Sequence, residues 1–413
     1  MTRVLLVAGK GGVGKTTIAA ATALSAARAG MRTLVVSTDP AHSLTDALGL
    51  TGRSGAAGEW RTAPEPLGVP DAPGSLDVLQ IDARARADES WTTLRRLAGG
   101  LLAGAGVDSL VAEEIASVPG IEDVLALLEV ARYADGYDAV VVDCAPTAET
   151  LRLLALPEAL ERLVRRGLPL ENRIVRLLAA PSLSAEAVEA LDALDDLCAR
   201  LVEVRGLLTG PDAAVRLVTT PERVVLAETA RARTTLALLG HHVEGVVVNR
   251  VAVGETWPPA LVARHRTGLQ EARDRFAALP VRHAPYTDAE PVGADALLAL
   301  ADAVLAGSDP LDLGARRMPE GMSSDGDRWL FEVPVPGAQD SDVDLAVTED
   351  GDLVVDLGPH RRVIGLPALL QRCEVDGASL DLTDSGRVLR VRFRPDQEQW
   401  SQGAARAAGE VPS

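Results

Sequence analysis

The run VLLVAGKGGVGKTTIAAATAL, beginning at Val4, sets a glycine-rich turn between an apolar β-branched strand and an alanine-rich helical stretch. Gly9, Gly14, Lys15 and Thr16 satisfy the spacing G-x-x-x-x-G-K-[ST] in the strand–turn–helix context that this motif requires. The backbone N–H groups of Gly9 to Gly14, including Lys10, Gly11, Gly12 and Val13, are arranged by such a turn to surround a phosphate. The helix beginning near Lys15, Thr16 and Thr17 adds the positive end of its dipole. Lys15 brings a compact ammonium to the β- and γ-phosphates of a nucleotide, and Thr16 brings a hydroxyl to Mg²⁺. The phosphates of a nucleotide and Mg²⁺ are therefore the expected ligands.

The same strand-then-helix rhythm recurs. TLVVST (33–38), LDVLQI (76–81), AVVVDC (139–144), VRLVTT (215–220) and GVVVNR (245–250) are short apolar runs followed by helical patterns, with LPVRHAP (279–285) as a further strand. Continuous apolar strands alternating with helices imply a doubly wound, mostly parallel α/β sheet covered on both faces. Helical stretches at about 86–134 and 149–210 interrupt the alternation and read as an added helical layer. Segment 53–74, rich in Gly, Ala and Pro, reads as a surface loop. These features assign residues 1–308 to one domain, and 309–327 have linker composition. Beyond them the apolar period changes to two, in RWLFEVPV and VLRVRFRP among others, with turn signals at EDGD and TDSGR. That pattern predicts a small antiparallel β-sandwich over 328–396, followed by a disordered tail at 397–413.

Lys10 and Lys15 are the only lysines among the 41 basic Lys and Arg residues. An arginine fork is too broad and planar for the inside of a phosphate loop, which accounts for Lys15. Lys10 needs another reason. GKGGVGKT resembles the deviant phosphate loop of the dimeric ATPases that include the arsenical pump ATPase and the tail-anchored-protein targeting ATPase. In that group the early lysine reaches the partner subunit's nucleotide. The resemblance thus implies a homodimer in which Lys10 and Lys15 both serve catalysis.

STDPAHSL (37–44) resembles switch I of the arsenical pump and targeting ATPases, and DCAPTAETLRLL (143–154) resembles their switch II. By this resemblance Asp39 orients or deprotonates the attacking water, and Asp39 and Asp143 hold Mg²⁺ through water beside Thr16. His42 is either a switch contact or a polar loop residue, and Cys144 reads as a structural one. In VVVNRV, Asn249 matches the asparagine that reads adenine, and an amide's paired donor and acceptor suit that edge. Pro285 and Tyr286 fall where the base would be flanked. VPGIEDVLALLEVARY and VTTPERVVLAETARA are also similar to this family. The resemblance covers about residues 1–306, and GPHRRVIGLPALL with VRFRP looks like the small heat-shock, α-crystallin-like domain appended to some relatives.

Some family properties do not carry over. The cysteines Cys144, Cys198 and Cys373 are scattered and no CxxC occurs, so neither a zinc pair nor an iron–sulfur cluster is expected. Sparse cysteine suits a reducing, cytoplasmic setting. A net charge of −18 disfavours nucleic acid and anionic membrane surfaces. No uncharged stretch is long enough to imply stable membrane insertion. The resemblance implies ATP-driven dimer closure coupled to capture or targeting of hydrophobic, tail-anchored protein clients. An arsenite-export ATPase subunit and a partition-type positioning ATPase are the alternatives. Helical stretches near Leu94–Val118 and Leu153–Leu178 form either an apolar client groove or ordinary core-facing helices. The sandwich holds clients, braces the dimer or is inert; the sequence leaves these choices open.

Overall fold

The computed structural model describes residues 2–38, 43–50, 63–81, 121–144, 196, 199–314, 317–318, 320–326, 328–348 and 351–396. Asp39, His42, Cys198, residues 397–413 and most of the expected helical layer lie outside the described residues. The chain divides into two units, one formed by Met1–Thr229 with Glu244–Gly314, the other by Ala230–Val243 with residues from Ala315 onward.

The first unit is built on an eight-stranded sheet in the order β3-β4-β2-β5-β1-β6-β7-β8. β1 (Arg3–Ala8) lies between β5 (Ala139–Asp143) and β6 (Ala213–Thr219) and is parallel to both. β2 (Arg32–Ser37) is parallel to β5 and to β4 (Ser75–Gln80), while β7 (Val243–Val251) is parallel to β8 (Val281–Pro285). Strand order reverses direction about β1, and at such a switch point a ligand crevice opens beyond the carboxyl ends of the strands. The glycine-rich turn sits there.

Between Arg3 at the start of β1 and Asp143 at the end of β5 the two strands are apolar because both faces are covered; Val4, Leu5, Leu6 and Val7 are at most 2% exposed. Helix α1 (Lys15–Arg28) is buried from Ile18 through Ala27. Its alanines let it lie close to the sheet. Helices α2 (Ser43–Ala47), α3 (Ile121–Ala134), α4 (Arg223–Leu238), α5 (Pro259–Arg275) and α6 (Ala294–Leu305) follow in chain order. Leu297, Leu300 and Ala301 of α6 share one hydrophobic cluster with Ala23 and Ala26 of α1. Segment 53–74, expected to be loop, contributes the short strand β3 (Glu65–Leu67), which pairs antiparallel with β4. As an edge strand it tolerates Pro66, whose missing N–H costs no ladder bond on an open side.

The second unit has two antiparallel sheets, β14-β15-β10-β9 and β11-β12-β13. Its strands are β9 (Gly321–Asp325), β10 (Arg328–Pro334), β11 (Val343–Val347), β12 (Leu353–Leu357), β13 (His360–Ile364), β14 (Cys373–Thr383) and β15 (Gly386–Pro395). β9 falls within the stretch of linker composition and pairs with β10. Phe331, Val333, Leu353, Val355, Val391 and Phe393 form the core, joined by Leu238 from the end of α4. Arg362, 4% exposed, donates to the Leu238 carbonyl and, at 2.8 Å, to Glu320. A buried guanidinium there meets a helix C-terminus, the end that favours a cation.

The alternate residues of β15 form a charged lattice: Arg390 pairs with Glu332 at 2.7 Å and Asp381 at 2.9 Å, and Arg394 pairs with Glu374 at 2.9 Å. This sheet face is ionic, while the opposite positions Leu389, Val391 and Phe393 face the core.

Candidate nucleotide site

Three glycines shape the turn after β1 for three different reasons. A Cβ on Gly9 would stand 2.2 Å from the Val218 carbonyl oxygen of β6, so only glycine lets the loop leave the sheet at this point. Gly14 has φ 92° at the start of α1, and a Cβ there would meet Asn249 Nδ2 at 2.2 Å. Gly12 has φ 79° with open space around its missing Cβ, which leaves a cradle above the loop. Val13, 3% exposed, roots the loop in the core, whereas Lys10, Gly11 and Gly12 face solvent.

Lys15 is 6% exposed, and its ammonium turns back over the loop to donate to the Lys10 carbonyl at 3.4 Å. Thr16 donates its hydroxyl to Asp143 Oδ2 at 2.7 Å and lies 3.0 Å from the Ser43 hydroxyl. Ser37 also donates to Asp143 Oδ2, at 3.2 Å. Asp143 is 0% exposed at the end of β5, and its backbone carbonyl accepts from the Thr38 amide at 3.1 Å. Two hydroxyls against one buried carboxylate form a hard-oxygen donor set beside the loop, a chemistry that suits Mg²⁺. The open cradle and the inward ammonium suit nucleotide phosphates. Thr17 follows on the first turn of α1. Asp39 lies outside the described residues.

Asn249, 6% exposed at the end of β7, donates to the Val13 carbonyl at 2.8 Å and accepts from the Arg250 amide at 2.9 Å. Its amide retains a second N–H and a second lone pair for another partner. Arg250 takes φ 57° and donates to the Gly12 carbonyl at 3.0 Å, a second tie from β7 to the loop. Pro285 stands opposite Val251 in the β7–β8 register, and the Tyr286 amide donates to the Val251 carbonyl at 2.9 Å. Tyr286 is 42% exposed and stacks on Trp257, with ring centroids 4.5 Å apart and planes 3° from parallel.

The structure thus brings Gly9–Thr17, Asp143, Asn249, Pro285 and Tyr286 to the carboxyl end of one sheet. Sequence reasoning missed Trp257, which no local pattern marks. It also missed Ser37 and Ser43, which were in view within STDPAHSL. Cys144, 4% exposed, extends the sheet by donating its amide to the Val7 carbonyl at 3.2 Å, in keeping with a structural residue.

The turn after β7 is held by His265 of α5, whose Nδ1 accepts from the Ala252 amide at 3.0 Å. Burial pushes the His265 pKa down, Glu222 pulls it up and Arg264 lowers it further, with burial foremost. A proton on Nδ1 would abolish the acceptor. Because the folded state depresses this pKa, His265 contributes stability that is present above the ordinary histidine value of ~6.5 and is lost as pH falls below it. The wild-type Tm should therefore drop between pH 7.5 and 5.5 by more than that of His265→Phe. Equal slopes would show that His265 does not titrate against this bond.

Two family profiles match the chain. The anion-transporting ATPase family matches residues 2–306, and the HSP20-like domain found in ArsA matches residues 326–393. An uncharacterised protein of Streptomyces coelicolor is 36% identical, over 97% of this chain and 100% of its own length. A Prosthecochloris vibrioformis protein assigned as an arsenical pump-driving ATPase is 32% identical over 90% of this chain and 92% of its own length. The ATPase GET3B of Arabidopsis thaliana is 30% identical over 72% of this chain and 78% of its own length. With its phosphate loop and buried strand-end carboxylate inside the first profile match and the β-sandwich strands spanning the second, the chain belongs to the ArsA family of ATPases and carries the HSP20-like domain found in that family.

Proposed function

We propose that this chain is a Mg²⁺-dependent ATPase that works as a homodimer, closing on ATP and reopening after hydrolysis, and that the cycle times the capture and release of hydrophobic protein segments. The observation that carries the ATPase half is the grouping of Lys15, Thr16 and Asp143 around the glycine cradle. In this reading residues 1–308 are the ATPase, 328–396 the sandwich and 309–327 the join.

The loop amides and Lys15 bind and neutralise the phosphates, work that phosphoryl transfer chiefly needs. Thr16 and Asp143 would hold Mg²⁺, which would supply charge neutralisation for the nucleotide's phosphates. Asp39 orients the attacking water and takes its proton. Asn249 and the Pro285–Tyr286 segment receive the adenine, with Trp257 backing Tyr286. Lys10 serves the partner's nucleotide.

The client half draws on the targeting relatives and on two features of this chain. The outer face of the β14–β15–β10 sheet is saturated with ion pairs, which makes it a poor apolar receptor. Among the described residues no helix is long and apolar enough to cross a membrane. In this proposal capture falls to the helical layer expected at about 86–134 and 149–210, most of which lies outside the described residues.

The test uses the full chain and its Asp39→Asn variant, each co-expressed with a protein bearing a C-terminal hydrophobic anchor. The variant should bind Mg-ATP normally and lose about 10²-fold in turnover, the scale of a lost catalytic base. Held in ATP, it should sediment as a dimer with the anchor protein soluble and bound. Normal turnover would remove Asp39 from catalysis; a monomer in ATP would remove the closing dimer; an aggregated anchor protein would remove the client.

A further inference from the structure

Lys10 is not idle in the single chain. Its ammonium lies 2.7 Å from Glu228 Oε2 on α4, with the two side chains 48% and 35% exposed. An ion pair this open is worth only ~0–1 kcal/mol and is weakened by salt. It does little for stability. What it does is give direction to a flexible four-carbon stem that otherwise samples many rotamers.

The turn of α4 that carries the carboxylate is held at a fixed place. The next residue, Thr229, is 4% exposed and its hydroxyl lies 2.9 Å from both the Val225 carbonyl, to which it can donate, and the Thr219 hydroxyl, while Leu226 is fully buried. Thr219 ends β6 directly after Val218, whose carbonyl oxygen sits where a Gly9 side chain would be. The helix bearing Glu228 and the loop bearing Lys10 are thus keyed to the same strand end. Thr229 and Gly9 thus fix the separation of the two backbone positions from which the charged side chains reach each other.

We infer that Glu228 is a positioning residue for Lys10: it holds the ammonium within its own chain and thereby sets the nucleotide concentration at which two copies close. This rests on the proposed reach of Lys10 to a partner's nucleotide. Lys10 cannot serve both carboxylate and partner, so each closing event must first break the intrachain pair. A competitor worth under 1 kcal/mol does not block closure by a polyanionic nucleotide. It shifts the midpoint about two- to fivefold, by the ~1.4 kcal/mol per tenfold equivalence applied to an exposed pair.

The experiment is sedimentation velocity of the full chain titrated with Mg-AMP-PNP, a non-hydrolysable ATP analogue. Glu228→Gln should lower the midpoint for dimer formation about two- to fivefold. Glu228→Asp, too short to reach the ammonium, should do the same while keeping the charge. Neither should move the midpoint in a Lys10→Ala background. An unchanged or raised midpoint in Glu228→Gln, or the same shift without Lys10, overturns the inference. If Lys10→Ala alone closes as wild type does, the partner role of Lys10 falls and this inference with it. If Lys10→Ala fails to close and Glu228→Gln behaves as wild type, only the positioning role falls. Each variant is compared by thermal unfolding, so that a folding defect is read separately from a shifted midpoint.

Discussion

Lys15→Arg is expected to lower ATP turnover by about 10³-fold while leaving the chain folded, although 39 other positions already accept arginine. The reason is space. Lys15 is 6% exposed, and its Nζ lies 3.4 Å from the Lys10 carbonyl, inside the arch of the loop. The arch cannot widen at its ends. Gly9 abuts the Val218 carbonyl, and Gly14 abuts the Asn249 amide, itself bonded to Val13. A guanidinium keeps the charge but is planar and broad, and it presents its donors as a fork where a single ammonium point is needed. It would protrude into the cradle or be expelled from it. Lys15→Met separates the two causes, keeping much of the length and losing the charge. Steady-state turnover with calorimetric ATP binding is the measurement. Both variants should lose turnover, with Lys15→Met showing the loss of charge alone. More than a tenth of wild-type turnover in Lys15→Arg would contradict the assignment of Lys15.

The loop could be recognised because its requirements are local: glycines where a Cβ cannot fit or φ is positive, one lysine, one hydroxyl and a flanking strand and helix. The buried strands were legible for a similar reason, since a strand covered on both faces must be apolar at every position. β3 and β9 were not. Glu65-Pro-Leu has the composition of a loop, and Gly-Met-Ser-Ser-Asp lacks both β-branched residues and alternation. Each is a strand only because a strong neighbour, β4 or β10, supplies the backbone partners. Gly326, with φ 66°, makes the tight turn that returns β9 onto β10. In the site, Asp143 announced itself by ending an apolar run. Trp257 and Glu228 did not, because what distinguishes them is a contact: a ring 29 positions along the chain for Trp257, and an ammonium more than 200 positions away for Glu228. Periodicity and motif spacing carry no trace of such pairings.

The same is true of a fully buried arginine of the first unit, where Arg216→Met is expected to cost about 3–5 kcal/mol. Arg216 is 0% exposed, the largest fully buried side chain among the described residues, within a strand that is otherwise apolar apart from Thr219. Its Nε pairs with Glu244 Oε1 at 2.5 Å, Nη1 donates to the Thr22 hydroxyl at 3.1 Å, and Nη2 donates to the Pro310 carbonyl at 3.1 Å. Arg282 reaches the other Glu244 oxygen at 3.3 Å. Methionine replaces the stem but none of the donors. Glu244 keeps only the longer contact to Arg282, and the Pro310 carbonyl loses a charged donor in a place water does not reach. The pair itself need not be stabilising, since desolvating two charges offsets much of their attraction. Arg216→Met with Glu244→Met should therefore cost less than the single change, because no orphaned carboxylate remains. Urea unfolding of the full chain, monitored by a probe on the first unit, supplies the numbers. A loss below ~1 kcal/mol for Arg216→Met would show that the stranded charge costs little, and a double variant worse than the single would show that lost packing outweighs it. The segment after α6 should respond as well. Leu311 is fully buried, and Arg3 donates to Asp309 at 2.7 Å and to the Leu311 carbonyl at 3.3 Å, so Arg216 is one of two arginines that fasten residues 309–311 to the sheet. Amide exchange should rise over 309–311 in Arg216→Met and stay low in α1, because α1 is held by apolar packing that the substitution leaves in place.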